Sequence, residues 1–340
     1  MPYLDLLYDM RRPAFARVGA AELYSAMLEQ CAWADSNGID AIHFGEHHGT
    51  EDNYLPSTVP LAAAVAARTQ RVRLRVLLLA PFHHPLRLAE DLAVLDIVSN
   101  GRLAPIVIAG YRPAEFEMYG VRMEDRKAAV EEAVDVLKKA WTGEPFDFHG
   151  RRVRVTPTPL QRPRPAVLVG GSYPAVARRG AHYADGFRCE AKLFEAFRDE
   201  CRRIGRPDPG PWPAASPEYV FVSEDPERTW AQIGPHLMHA TNAYAQWAME
   251  GHGRGDARFP KITTLDGLKA SPAHKVLTPE GCIELARTLG TDGLLRLQPL
   301  CGGIDPKLAW ESLELFAAKV VPHIEVRTGH EPGVVGDLGR

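Results

Sequence analysis

Glu46-His47-His48 places two imidazoles behind a carboxylate, a grouping able to take or give a proton near neutral pH. On an extended segment adjacent side chains point to opposite sides, so at most one of the pair enters a shared site. Taken alone, these residues are better read as a loop cap with a solvated neighbour. His83-His84-Pro85 is a second pair, and capping the helix that Pro85 would start accounts for it as simply. Val169-Gly170-Gly171-Ser172-Tyr173-Pro174 is an anion signal. Its glycines let the backbone approach a phosphate, and the N–H groups and dipole of a following helix favour a dianion. An ordinary βα turn with a serine cap fits the same residues equally well. Metal hydrolysis finds no support, because no His-x-His occurs and Asp9-Met10-Arg11 follows the first apolar run; the GxSxG nucleophile elbow is also absent.

The elements that must position these residues alternate short apolar runs with helical patterns. Strands are expected at Tyr3–Tyr8, Ala41–Gly45, Val72–Leu79, Leu103–Ile108, Ala166–Val169, Phe187–Glu190, Glu218–Val222 and Gly293–Leu297. Helices are expected around Leu23–Ala34, Ser57–Arg68, Pro85–Ile97, Lys127–Trp141 and from Asp305 to about Val320. Eight such units point to a closed (β/α)8 TIM barrel rather than a doubly wound sheet. In a barrel, whatever follows the strands shares one rim. Here that rim collects Asp9 and Arg11, Glu46 to His48, His83 and His84, Ala109 to Arg112, Gly170 to Ser172, and Gln298 with Cys301. Phe146–Val155 reads as a β-hairpin insertion after helix four, turning at His149-Gly150, and a proline-rich connector follows it. Gly251–Val276 is polar and aperiodic, the character of a long lid inserted before the last strand. Residues 1–326 are expected to form one barrel domain, with 327–340 as a loose tail.

With 340 residues, 45% of them apolar, the chain can bury one sizeable core, and its net charge of −3 offers no basic footprint for nucleic acid or an anionic membrane. Five scattered cysteines without a CxxC pair argue against a disulfide framework or structural zinc. Asp9, Arg11 and Arg12 leave no apolar signal segment, and the longest apolar run, Val76–Phe82, is far short of a membrane span. A cytoplasmic globular protein acting on small molecules is expected.

Several segments resemble the bacterial luciferase-like monooxygenases in order along the chain. "GIDAIHFGEHHGTEDNYLPS" resembles that family's second-strand region, and "LLLAPFHHPLRLAEDLAVLDIVSNGRL" its third strand and helix. "AGYRPAEFEMYGV" with Asp125-Arg126 is similar to its fourth-strand loop, and "VLVGGSYPAVARRGAHYADGF" to its flavin-phosphate region. The C-terminal "LRLQPLCGGIDPKLAWESLELFAAKVVP" resembles its last βα unit. The resemblance implies a flavin-dependent oxidoreductase that binds FMN, or less often a deazaflavin, and uses the reduced flavin and oxygen to make a C4a-peroxide. It assigns His47 and His84 to catalysis and Gly170, Gly171, Ser172 and Arg126 to the phosphate. Val76 and Leu77 lie along the flavin ring, where a non-prolyl cis peptide is common in the family, and Ala109, Tyr111 and Val169 are further cofactor-binding positions. It further implies a homodimer, for which alanine-rich Ser57–Arg68 offers a packing face, and a separate flavin reductase. Ile108 and Ala109 replace the Cys-Arg pair of luciferases proper, and Gly171 an acidic residue, so light emission does not follow. A deazaflavin-dependent dehydrogenase or reductase and a non-catalytic flavin-binding relative are the alternatives on the same fold.

Overall fold

The computed structural model describes residues 2–188, 191–253 and 259–324. Its strands are β1 (Tyr3–Tyr8), β2 (Ala41–Phe44), β3 (Arg73–Leu79), β4 (Leu103–Ile108), β5 (Phe146–Phe148), β6 (Arg151–Val153), β7 (Leu168–Gly170), β8 (Gly186–Arg188), β9 (Tyr219–Val222), β10 (His274–Leu277) and β11 (Leu294–Leu297). Its α-helices are α1 (Ala20–Ser36), α2 (Thr58–Ala66), α3 (Pro85–Val98), α4 (Pro113–Tyr119), α5 (Arg126–Ala140), α6 (Pro174–Tyr183), α7 (Ala191–Arg203), α8 (Pro226–His252), α9 (Leu265–Ala270), α10 (Pro279–Leu289) and α11 (Pro306–Leu315). The boundaries follow local chemistry. Pro85, Pro174, Pro226, Pro279 and Pro306 open helices where a missing N–H costs nothing. Beyond the end of α3, Asn100 and Gly101 adopt φ of 54° and 79°, a left-handed turn open to these residue types.

The described residues divide into two units. The first holds 2–56, 111–115, 213–253 and 259–324. In it β1 pairs in parallel with β11 (Tyr3 opposite Leu294) and with β2 (Asp5 opposite Ala41). β9 and β10 form a separate parallel pair, with Tyr219 opposite His274. A second core lies around Tyr219, Phe221, Ile233, Leu237 and Ile262. The second unit holds 57–110, 116–188 and 191–212. There β3, β4, β7 and β8 run parallel in that order, with Val76 opposite Pro105, Val107 opposite Val169, and Gly170 opposite Arg188. Burial on both faces explains the apolar run Val76–Leu79 of β3 and the unbroken apolar reading of β4.

The fold is α/β, parallel strands flanked by helices, and among the described residues the expected closed ring of eight strands is not formed. β9 commits a ladder to β10, and only the isolated bridge of Ala215 to Leu294 and side-chain bonds reach from its end toward β11. In those bonds Gln298 Nε2 donates to the Glu218 carbonyl at 3.0 Å and Arg296 pairs with the Glu218 carboxylate at 3.3 Å. The expected lid is also revised. Gly251 and His252 finish α8, while α9 and β10 occupy much of the segment, and 254–258 lie outside the described residues. The hairpin is where it was expected, with β5 and β6 antiparallel and His149 and Gly150 at φ of 50° and 73°. The recorded cis peptides, Thr156-Pro157 and Arg162-Pro163, are prolyl, so the expected cis bond at Val76–Leu77 is not found. The end of the expected strand at Cys189-Glu190 and the tail 327–340 lie outside the described residues.

Candidate active site

In the first unit, β2 runs out at Phe44 and Gly45 delivers Glu46-His47-His48 to a buried corner. Gly45 has a local reason: a Cβ there would lie 2.1 Å from the Tyr54 hydroxyl. The His47 N–H donates to the Leu55 carbonyl at 3.1 Å, fixing the backbone and aiming the ring at Glu115. Glu115 stands in the first turn of α4, and its Oε1 receives His47 Nδ1 at 2.8 Å, the His48 N–H at 2.9 Å and Arg112 Nη1 at 3.3 Å. His48 turns the other way and meets Glu46 Oε1 through Nε2 at 2.8 Å.

Burial opposes ionisation of Glu115, but the hydrogen bond and charge of His47, the His48 amide and Arg112 together hold its carboxyl below the usual range. Burial dominates at His47 and lowers its pKa; Glu115 works against that, and the guanidiniums of Arg11 and Arg112 reinforce it. An ionised carboxylate can only accept, so Nδ1 carries the proton and Nε2 of the neutral ring keeps a lone pair.

An aromatic shell encloses that imidazole. Ring centroids lie 4.6 Å away for Trp247, 4.9 Å for Tyr54, 5.8 Å for Tyr111 and 6.1 Å for Tyr244. Arg11, wholly buried, stacks its guanidinium 4.5–4.6 Å from Tyr54, Tyr244 and Trp247. It reaches Asp52 at 2.6 Å, and Asp52 also holds His239 at 2.9 Å. Despite burial, the bonds from His239 and Arg11 keep the Asp52 carboxyl well below its usual range, whereas at Asp9 burial prevails and raises it. Arg112 lies 4.2 Å over Trp247. At the end of α8, His252 stacks on Tyr111 at 5.0 Å, and a Cβ on Gly251 would strike the Tyr111 carbonyl at 2.1 Å.

The remaining sequence-predicted residues lie in the second unit. Val76 is buried and Leu77 half-buried on β3; Ala109 follows β4, and Val169 and Gly170 lie on adjacent β7, so register brings these strand ends side by side. A Cβ at Gly170 would crowd the Arg188 carbonyl at 3.0 Å and Ile108 at 3.1 Å, and one at Gly171 would reach Val176 at 2.6 Å. Packing alone therefore demands both glycines. Ser172 is exposed, and the α6 N-terminus has Tyr173 as N-cap with no side-chain cap bond. Arg126 opens α5 and bonds its own Met123 carbonyl. His84 is exposed, its ring 5.8 Å from Phe148 of the hairpin.

Sequence reasoning missed Glu115, Tyr244 and Trp247. An acid in a helix's first turn reads as a complement to the helix dipole, and aromatics three apart on a helix read as core. Asp9, Arg11 and Arg112 were visible only as rim residues.

The family model for luciferase-like monooxygenases matches residues 11–293. The flavin-dependent trigonelline monooxygenase oxygenase component of Acinetobacter baylyi is 34% identical over 161 residues, 45% of this chain and 44% of that protein, so this match spans less than half of that relative. The 4-hydroxyprotoasukamycin monooxygenase of Streptomyces nodosus subsp. asukaensis is 26% identical over 92% of this chain and 89% of its own length. Among solved structures, the monooxygenase RslO1 from Streptomyces bottropensis matches with a TM-score of 0.76 and 26% identity, covering 95% of this chain and 99% of that one. With a family model covering most of its length and relatives aligned nearly end to end, this chain belongs to the luciferase-like monooxygenase family.

Proposed function

We propose that the protein is an FMN-dependent monooxygenase acting on a small organic substrate, and the His47–Glu115 pair sealed inside an aromatic shell carries this reading. The residues present fit the cofactor in chemistry. The α6 N-terminus behind Gly170-Gly171-Ser172 lacks a side-chain cap, as a phosphate acceptor would. Arg112 Nε and Glu115 Oε2 are buried polar atoms without a hydrogen-bond partner, the kind of group a polar ring system satisfies. Reduced FMN supplies, when bound, the electrons that activate oxygen.

The chain's own residues do the rest. Gly170, Gly171 and Ser172 receive the phosphate with Arg126, and Val76, Leu77, Ala109 and Tyr111 take the flat ring. Neutral His47 holds a proton at Nε2 when one is released, and Glu115 fixes the tautomer that makes this possible. The Trp247, Tyr54 and Tyr244 rings keep water from the imidazole. His84 is assigned a second, accessory proton-handling role. A separate reductase supplies reduced FMN, and two copies pair, with exposed Ala64 of α2 and Ala67 at its C-terminal cap available for close helix approach.

Oxygen uptake tests the reading. Protein mixed with reduced FMN should consume oxygen with kinetics distinct from free reduced FMN. If oxygen consumption matches the free flavin and only reduced deazaflavin binds, the hydride-transferring alternative replaces it.

A further inference from the structure

A cavity of about 400 Å³ opens in the first unit between the loops after β1 and β2 and the start of α1, a volume within the range of small-molecule sites. Its wall is mostly apolar or aromatic: Met10, Leu23, Tyr24, Tyr54 and Pro56. Arg12 is its only charged lining residue. That guanidinium is half-buried and, among the described residues, makes no ion pair or side-chain hydrogen bond. Nearby carboxylates are committed elsewhere. Asp52 serves Arg11 and His239, and Glu22 reaches back to the Gly19 N–H at 3.4 Å. Three lining residues, Met10, Gly49 and Asn53, hold φ of 56° to 58°, and two of them are not glycine. Such conformations persist where surrounding structure fixes the backbone for a purpose.

The cavity also has a connection inward. Tyr54 is at once its wall and part of the shell around His47, with its N–H held by the Thr50 hydroxyl at 2.8 Å and its own hydroxyl 3.1 Å from that of Tyr244. Tyr54 is therefore common to the cavity wall and the His47 enclosure.

We propose that this cavity binds the substrate as a small organic carboxylate: Arg12 takes the carboxylate, the apolar wall takes the body, and Tyr54 is the wall shared with the His47 enclosure. The assignment rests on the monooxygenase reading for calling the occupant a substrate; binding itself is measured without turnover. A planar guanidinium matches a carboxylate in a two-pronged pair, whereas a neutral isostere leaves it unpaired.

The probe is benzoate, with benzamide as neutral isostere, titrated into the full chain and read by saturation-transfer NMR. Benzoate should bind saturably and at least tenfold more tightly than benzamide. Arg12→Gln should lose most of that preference. Ala20→Trp, at an exposed lining position of α1, should block both ligands while thermal stability stays unchanged. Equal binding of the two probes, an unaltered preference in Arg12→Gln, or no benzoate binding at all would overturn the assignment. A change of molecular mass in Ala20→Trp by light scattering, with benzoate binding intact, would hand the cavity to a second copy of the chain. An FMN titration of the same wild-type sample reads the functional proposal separately: FMN bound without benzoate sinks only the cavity.

Discussion

An imidazole enclosed by Trp247, Tyr54 and Tyr244 and flanked by two guanidiniums loses the hydration that an imidazolium needs, so at neutral pH His47 is a proton acceptor at Nε2. His47→Ala should retain FMN affinity within about threefold, lose about 10²–10⁴-fold in product formation, and release hydrogen peroxide instead. His48→Ala should do much less, because that ring is turned to Glu46; peroxide assays and product yield on both variants decide between them. Glu115 is a positioning residue, acting through His47. Its negative charge raises the His47 pKa, so Glu115→Gln should lower it further and move the acid limb of the activity profile to lower pH, with kcat falling more than KM rises. An unshifted limb would leave Glu115 a merely structural role. The histidine pair stood out in the sequence, but residue type alone read it as a loop cap, and only the family resemblance assigned His47 to catalysis. Its partner did not stand out, since Glu115 is 68 positions away and only folding brings it within 2.8 Å.

Elements were legible where burial is two-sided or punctuation is strong. β1 and β4 occur at their expected bounds, since predominantly apolar runs bounded by turn residues admit little else, even with Asp5 inside β1. β10 was not, because His274 and Lys275 break its apolar character. His274 is nonetheless wholly buried, stacked 4.7 Å from Tyr219, with Nε2 on the Thr241 hydroxyl and Nδ1 on that of Ser271. Burial lowers its pKa to about 4. The unfolded chain, with histidine near 6.5, then binds the proton more tightly than the folded one. Stability is therefore full above about pH 6.5 and falls toward pH 4, by up to about 3 kcal/mol from this residue. Thermal melts across that window should show the slope, and His274→Asn should flatten it. At α6 the glycine pair does not discriminate a phosphate site from packing, since Val176 and Ile108 demand glycine there as well. Ser172 is the cleaner probe. Ser172→Asp should weaken FMN binding at least tenfold through repulsion of the phosphate, with the melting temperature unchanged; unchanged affinity would remove the phosphate from this corner.

Over the whole molecule, alternation of strand and helix together with a family of spaced motifs announced the architecture and the chemistry class. The expected closure into an eight-stranded ring was not met, because strand count says nothing about which edges pair, and β9 pairs with a strand the periodicity concealed. None of the described helices is long and apolar enough to cross a membrane. The most direct test of the central claim is an anaerobic titration with reduced FMN beside one with reduced deazaflavin, followed by admission of oxygen. The account predicts saturable binding of reduced FMN, weaker binding of the deazaflavin, and oxygen consumption whose peroxide yield rises in His47→Ala. Binding of deazaflavin alone, with oxygen left unconsumed, would contradict it.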